Sequence, residues 1–190
     1  SVDRDTSTND TCIVLANGIS GIPEIKKGTE AYEAFREALL HVARELAKQM
    51  AGDGEGCTKL LEVKVENAAT VEAAKQLSKS VITSNLVKTA VYGSDANWGR
   101  ILCALGYAGV EFDPETVDLT ICAEGEQGME SIVLVKDGVA TGYSEETATK
   151  LLSQSEVSVI CDMKQGNASA VAWGCDLTYD YVKINGDYRS

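Results

Sequence analysis

Histidine is almost absent from this sequence: His41 stands alone in 190 residues, and there are only two prolines. A single imidazole argues against a structural zinc site, which draws several Cys and His ligands at set spacings. Two prolines leave no material for a Pro-rich linker, and neither an internal repeat nor a low-complexity tract is visible. No segment approaches the roughly 20 apolar residues of a membrane span, and no charged-then-apolar leader occurs. The six cysteines, Cys12, Cys57, Cys103, Cys122, Cys161 and Cys175, form no CxxC pair. Each sits among small or apolar neighbours, so they read as reduced core thiols of a reducing, cytoplasmic compartment. Positive charge is scarce as well, with 17 Lys and Arg against 29 Asp and Glu, a net charge of −12. Such a field repels phosphate backbones and anionic lipid and argues against nucleic acid and membrane surfaces as partners. The two N-x-S/T sequons, at Asn9 and Asn167, are read as chance matches.

What remains is the composition of an ordinary globular protein, 44% hydrophobic and 24% charged, long enough for one large domain or two small ones. Elements of both types alternate along it. Cys12 to Ala16 is a short apolar run with the look of a strand. Thr29 is placed to cap a helix, with Glu30 and Glu33 in the first turn, where the helix dipole favours them. Tyr32, Phe35, Leu39, Val42, Leu46 and Met50 then recur at helical spacing as far as Gly52. His41 falls inside that helix and is read as a surface or packed residue rather than a catalytic one. Leu61, Val63 and Val65 alternate with Glu62, Lys64 and Glu66 as a half-exposed strand. Thr70 caps a second helix carrying Val71, Ala74, Leu77 and Val81. The β-branched run Leu86–Tyr92 reads as a strand, and Ile101–Tyr107 as a helix entered through a loop. "VDLTICA" and "SIVLVKDG" read as strands, Ser144 as the cap of a brief helix, and "VSVICDM", "ASAVAWG" and "DLTYDYVKI" as closing strands. Together these predict an α/β (α+β) sandwich with a mixed β-sheet.

Several stretches carry candidate chemistry. "DRDTS" (Asp3–Ser7) has the paired carboxylates of a phosphoryl-transfer loop, but only Ser1 and Val2 precede it, too little to make a delivering strand. Asp3, Asp5 and Ser7 have the spacing of calcium ligands without the turn glycine or the distal Glu. Ser1 itself has the makings of an N-terminal nucleophile activated by its own amine, though a chain boundary accounts equally for the missing Met. "GDGEGCTK" (Gly52–Lys59) is glycine-dense, but its spacing to Lys59 does not fit a P-loop, and Asp53 and Glu55 repel phosphate. Glycines around a carboxylate allow close approach to a cation, and a helix C-cap and turn explain them as well. Trp98 and Arg100, in "ANWGR", read as an anchor and a buried or capping ion pair. The last nineteen residues stay dense in aromatic and polar types, unlike a frayed tail, so Asn185, Arg189 and Ser190 are expected to be tied down or part of a site.

"DTSTNDT", "GDGEGCTKLLEV", "LVKTAVYGSDANWGRILCALGYAGVEFDP" and "AWGCDLTYDYVKINGDYRS" resemble, in order and over nearly the whole chain, the β-chain of the ornithine acetyltransferase family. These are the bifunctional glutamate N-acetyltransferases of arginine biosynthesis. The resemblance implies an α/β sandwich related to self-processing aminopeptidases. It also implies a precursor that cleaves itself into α- and β-chains, and a Thr at the β N-terminus as nucleophile. That Thr takes acetyl from N-acetylornithine and passes it to glutamate in a ping-pong cycle. Some members accept acetyl-CoA as donor, and the family uses no metal or prosthetic group.

The family's β-chain begins upstream, at a Thr followed by Met-Leu, so residues 1–190 are expected to be its C-terminal portion, one compact unit with room for two lobes. The nucleophile and the α-chain partner then lie outside it, the chain alone is inactive, and the whole is an oligomer of αβ units in the cytoplasm. Arg4 stands where the family more often has Gly. By resemblance, Glu55 meets the amino end of the substrate, and Asn185 and Ser190 hold the amino-acid substrate. The alternatives are a self-processed hydrolase using Ser1 and a catalytically silent binding subunit.

Overall fold

The computed structural model describes residues 1–125 and 128–187. Its helices are α1 (Glu30–Gly52), α2 (Val71–Ile82), α3 (Asn85–Tyr92), α4 (Trp98–Gly106), α5 (Glu145–Leu152) and α6 (Tyr179–Asp187). The strands are β1 (Leu60–Ala68), β2 (Asp118–Gly125), β3 (Gly128–Lys136), β4 (Val139–Ala140), β5 (Glu156–Asp162) and β6 (Ala168–Cys175), forming one sheet in the order β4-β3-β2-β5-β1-β6. β1 and β5 run parallel, and the other neighbouring pairs are antiparallel. The mixed α/β architecture expected from the sequence is the one found.

Alternation along β1 sets the core. Leu61, Val63 and Val65 are fully buried, while Glu62, Lys64 and Glu66 on the other face remain partly open. The register carries that buried face across the sheet, with Leu61, Val63 and Val65 opposite Val157, Val159 and Cys161, and those opposite Ala123, Ile121 and Leu119. Ala74, Leu77, Val81 and Ile82 of α2, together with Ala148, Leu151 and Leu152 of α5, close over it. Each large aliphatic side chain buried this way is worth about 1.5–3 kcal/mol. Five helix starts are fixed by a side-chain oxygen on a backbone amide: Thr29 on Tyr32, Thr70 on Ala73, Ser84 on Val87, Asn97 on Arg100 and Ser144 on Thr147. Each such cap satisfies an amide that the helix itself leaves unpaired.

Four expectations about elements and thiols need correction. Leu86–Tyr92 is helical: Ser84 caps it, and Val87, Lys88, Ala90 and Val91 are buried at helical spacing, which overrides the strand preference of Val, Thr and Tyr. The segment expected as a final strand is α6, whose first turn is set by the Thr178 hydroxyl accepting from the Tyr181 amide. Cys12–Ala16 has no regular structure and is exposed, because no sheet edge pairs with it. The cysteines are not uniformly core thiols: Cys161 and Cys175 are buried, Cys57 and Cys122 half-buried, and Cys12 and Cys103 exposed.

The α1 helix forms as its spacing predicts, and His41 lies exposed on it. Its apolar stripe, however, is largely uncovered, and Ala51 is the buried residue of the helix. Its C-terminal end rests against β1 and β6, where the Lys48 ammonium lies 5.7 Å from the centre of the Trp173 ring. Trp98 packs against the core, as expected of an anchor. Arg100 donates to the Leu86 carbonyl at 2.9 Å and the Thr89 hydroxyl at 3.2 Å, joining α3 to α4; among the described residues it shows these hydrogen bonds in place of the expected ion pair.

Candidate functional site

Glu55 sits in the turn between α1 and β1, and local chemistry fixes that turn from both sides. Asp53 caps α1 through its amide on the Gln49 carbonyl, and the Cys57 amide closes on the Gly54 carbonyl at 3.0 Å. Downstream, the buried Asp176 carboxylate receives the amides of Thr58 and Lys59 at 2.8 and 3.1 Å, together with the Thr58 hydroxyl. The Lys59 ammonium points away from the turn, into the end of α3, where it donates to Val91 O at 2.7 Å and Ser94 Oγ at 2.8 Å. Burial lowers the pKa of that ammonium. It therefore caps α3 carbonyls and offers nothing to a phosphate, in keeping with the failed P-loop spacing.

The glycines of the turn answer to packing. A Cβ on Gly54 would meet Cys175 Sγ at 2.8 Å and Val2 at 3.0 Å. Gly56 has φ +66, and a Cβ there would lie 2.8 Å from the backbone of Asp180 and Tyr181. Only glycine lets α6 come this close. Thr178 completes the joint, donating its hydroxyl to Gly56 O at 2.7 Å while accepting from the Tyr181 amide at 3.1 Å.

Tyr181 occupies the middle of the site. Its hydroxyl donates to Asp3 Oδ2 at 2.8 Å, and its carbonyl accepts from Asn185 Nδ2 at 3.0 Å. The hydrogen bond to Asp3, then burial, then the charges of Asp3, Asp5 and Glu55, push the phenol up to about 12. Glu55, whose charge acts on the phenol, and Asn185, one turn further along α6, are both exposed. Ser190 and Arg189 lie outside the described residues. A carboxylate, a side-chain amide whose nitrogen is engaged, and a neutral phenol suit recognition of an ammonium group by charge and by acceptor oxygens.

Two residues of this arrangement escaped sequence reasoning in their actual roles. The spacing of Asp3 suggests phosphoryl transfer or calcium, yet Oδ1 takes the Asp5 amide at 2.9 Å and Oδ2 takes the Tyr181 hydroxyl, which engages both oxygens. Among the described residues no group of three or more His, Cys, Asp and Glu is arranged to hold a metal ion. Thr178 had a readable signal, a Thr two residues before an acid at the start of a helix, hidden by the alternation of Tyr179, Tyr181 and Lys183.

The sequence matches the ArgJ family over residues 1–190. The chain belongs to the ArgJ family. It is 52% identical, over its full length, to the arginine biosynthesis bifunctional protein ArgJ 1 of Clostridium acetobutylicum, of which it covers 46%. It is 47% identical to the glutamate N-acetyltransferase of Methanocaldococcus jannaschii, again covering 46% of that protein. The crystal structure of the arginine biosynthesis bifunctional protein argJ from Bacillus halodurans superposes with a TM-score of 0.90 at 46% identity, covering 99% of this chain and 85% of that one. The chain therefore spans about half the length of the curated relatives it matches. Among the described residues no helix is long and apolar enough to cross a membrane.

Proposed function

We propose that this chain is the substrate-holding part of a glutamate N-acetyltransferase of arginine biosynthesis. In the complete protein an acetyl group moves from N-acetylornithine to glutamate by a ping-pong cycle through an acetylated threonine. That nucleophile lies on a part of the protein outside these residues, next to an α-chain partner in an oligomer of αβ units in the cytoplasm. Glu55 meets the ammonium or amide end of the substrate, and Asn185 and Ser190 hold the amino-acid portion. No metal or prosthetic group is required, and acetyl-CoA remains a possible second donor substrate. The observation that supports the reading is the joint through Thr178, which fastens the turn bearing Glu55 to α6, the helix bearing Asn185.

The test is Glu55→Gln in the complete enzyme. The change is nearly isosteric and removes a charge-assisted hydrogen bond worth about 1.5–3 kcal/mol, so catalytic efficiency falls roughly tenfold or more. The loss is expected mainly in KM for ornithine-type substrates. Unchanged kinetics would reduce Glu55 to a turn residue. The alternative, a hydrolase using Ser1, is separated by an acylating reagent: an adduct on Ser1 supports the hydrolase, and its absence supports a nucleophile elsewhere.

A further inference from the structure

We infer that Asp3 and Tyr181 are a positioning pair for substrate, holding the Glu55 turn and Asn185 at a fixed separation. This rests on the reading of Glu55 and Asn185 as substrate contacts. Three segments remote in sequence meet here, and the Asp3–Tyr181 bond alone spans 178 positions.

The tyrosine is mounted rigidly. Its amide is held by Thr178, its carbonyl by Asn185, and the backbone just before it lies against Gly56. The aspartate is mounted as well. Val2 packs against the Cα of Gly54, next to Glu55, and its carbonyl accepts from the buried Lys88 ammonium. Arg4, at φ +77, turns the chain so that the Asp5 amide comes back onto Asp3 Oδ1. One hydroxyl thus ties the opening segment, whose Val2 lies against Gly54 of the Glu55 turn, to the helix that carries Asn185.

The phenol does this as a hydrogen-bond donor. Tyr181 is held up near 12, first by its bond to Asp3, so it stays protonated throughout the ordinary working range and cannot serve as a general base there. Removing the hydroxyl leaves the Asp3 carboxylate half-satisfied beside α6 and frees the opening segment from the helix. Misplacing a positioning group by about 1 Å can cost on the order of 100-fold. The nucleophile is not on these segments, so the loss falls on binding.

The experiment compares Tyr181→Phe, Asp3→Ala and the double variant in the complete enzyme with Glu55→Gln and with Lys136→Met, a control at the opposite sheet edge. Tyr181→Phe is expected to raise KM for the amino-acid substrates about tenfold, with kcat within about twofold. The double variant is expected to be no worse than the poorer single one, as for two ends of one bond. Wild-type kinetics for Tyr181→Phe alongside a raised KM for Glu55→Gln would overturn the pair and leave the site standing. Wild-type kinetics for both would overturn the site and the pair together. If Lys136→Met lowers melting temperature and raises KM to the same extent, the effect is global stability and the pair is again overturned.

Discussion

Thr178 donates to the Gly56 carbonyl at 2.7 Å, so one hydroxyl joins the turn bearing Glu55 to the helix bearing Asn185. The same hydroxyl accepts from the Tyr181 amide, and Thr178 is 5% exposed, so water cannot replace either bond cheaply. Thr178→Val keeps the shape and loses both functions. Losing the cap costs about 0.5–2 kcal/mol, and an unpaired carbonyl about 1–3 kcal/mol. The complete enzyme carrying it should unfold at lower denaturant and show a raised KM, and Thr178→Ser should restore both. A less stable enzyme with wild-type KM would make the joint purely structural.

Arg4 supplies a second prediction. At φ +77 it holds a conformation costing a residue with a Cβ roughly 1–2 kcal/mol. Glycine adopts that conformation without strain but carries an entropic penalty of about 0.5–1 kcal/mol. Arg4→Gly is therefore expected to stabilise by about 0.5–1 kcal/mol, read as a higher denaturation midpoint with unchanged slope. A loss of stability would show that the guanidinium makes a contribution larger than the strain.

How much of this was legible beforehand follows from where the signals lie. The α1, α2 and α5 helices carry a capping hydroxyl, a first-turn acid and helical spacing within a few turns, and each forms where those signals stand. The α3 and α6 helices read as strands because β-branched and aromatic residues signal strand locally, while Ser84 precedes the apolar run that it caps and Thr178 lies within an alternating run that masks it. The long-range ties left no local trace. Lys88 reaches Val2, Thr178 reaches Gly56 and Tyr181 reaches Asp3 across 86, 122 and 178 positions. Flanking glycines single out Glu55 and the dense C-terminus singles out Asn185, and resemblance gives each its role, but no periodicity or spacing links the two. Tyr181, which joins Asp3 to the helix bearing Asn185, has no motif of its own.

Asp118, at the start of β2, ties part of the stability to acid pH. Asp118 receives Lys136, Lys164 and the Asp137 amide, tying the start of β2 to the β3–β4 turn and to the loop after β5. Partial burial pushes its carboxyl up, but these hydrogen bonds outweigh that and lower it from 3.8 to about 2. A depressed folded pKa gives stability that is complete above the unfolded value and lost as pH falls through it towards about 2. The stability gap between wild type and Asp118→Asn should therefore be flat above about pH 5, narrow below it and vanish near pH 2. A gap that ignores pH would assign the loss to packing.

Along α1, Phe35, Leu39, Val42, Leu46 and Met50 are 56, 46, 53, 54 and 71% exposed, although their spacing is that of a buried face. Ile13, Val14, Leu15, Ile19 and Ile22 add further open apolar surface in the preceding segment. A contiguous apolar surface of this kind is unusual on a free monomer and drives association. The 190-residue chain on its own is expected to bind a hydrophobic dye such as ANS and to sediment as a concentration-dependent mixture. Leu39→Glu with Leu46→Lys places opposite charges across the stripe at polar cost only, since neither side chain is in the core. Both signals should fall while circular dichroism keeps its helical content. A chain that is monomeric and dye-silent without these changes would mean that the stripe folds back on the protein in solution.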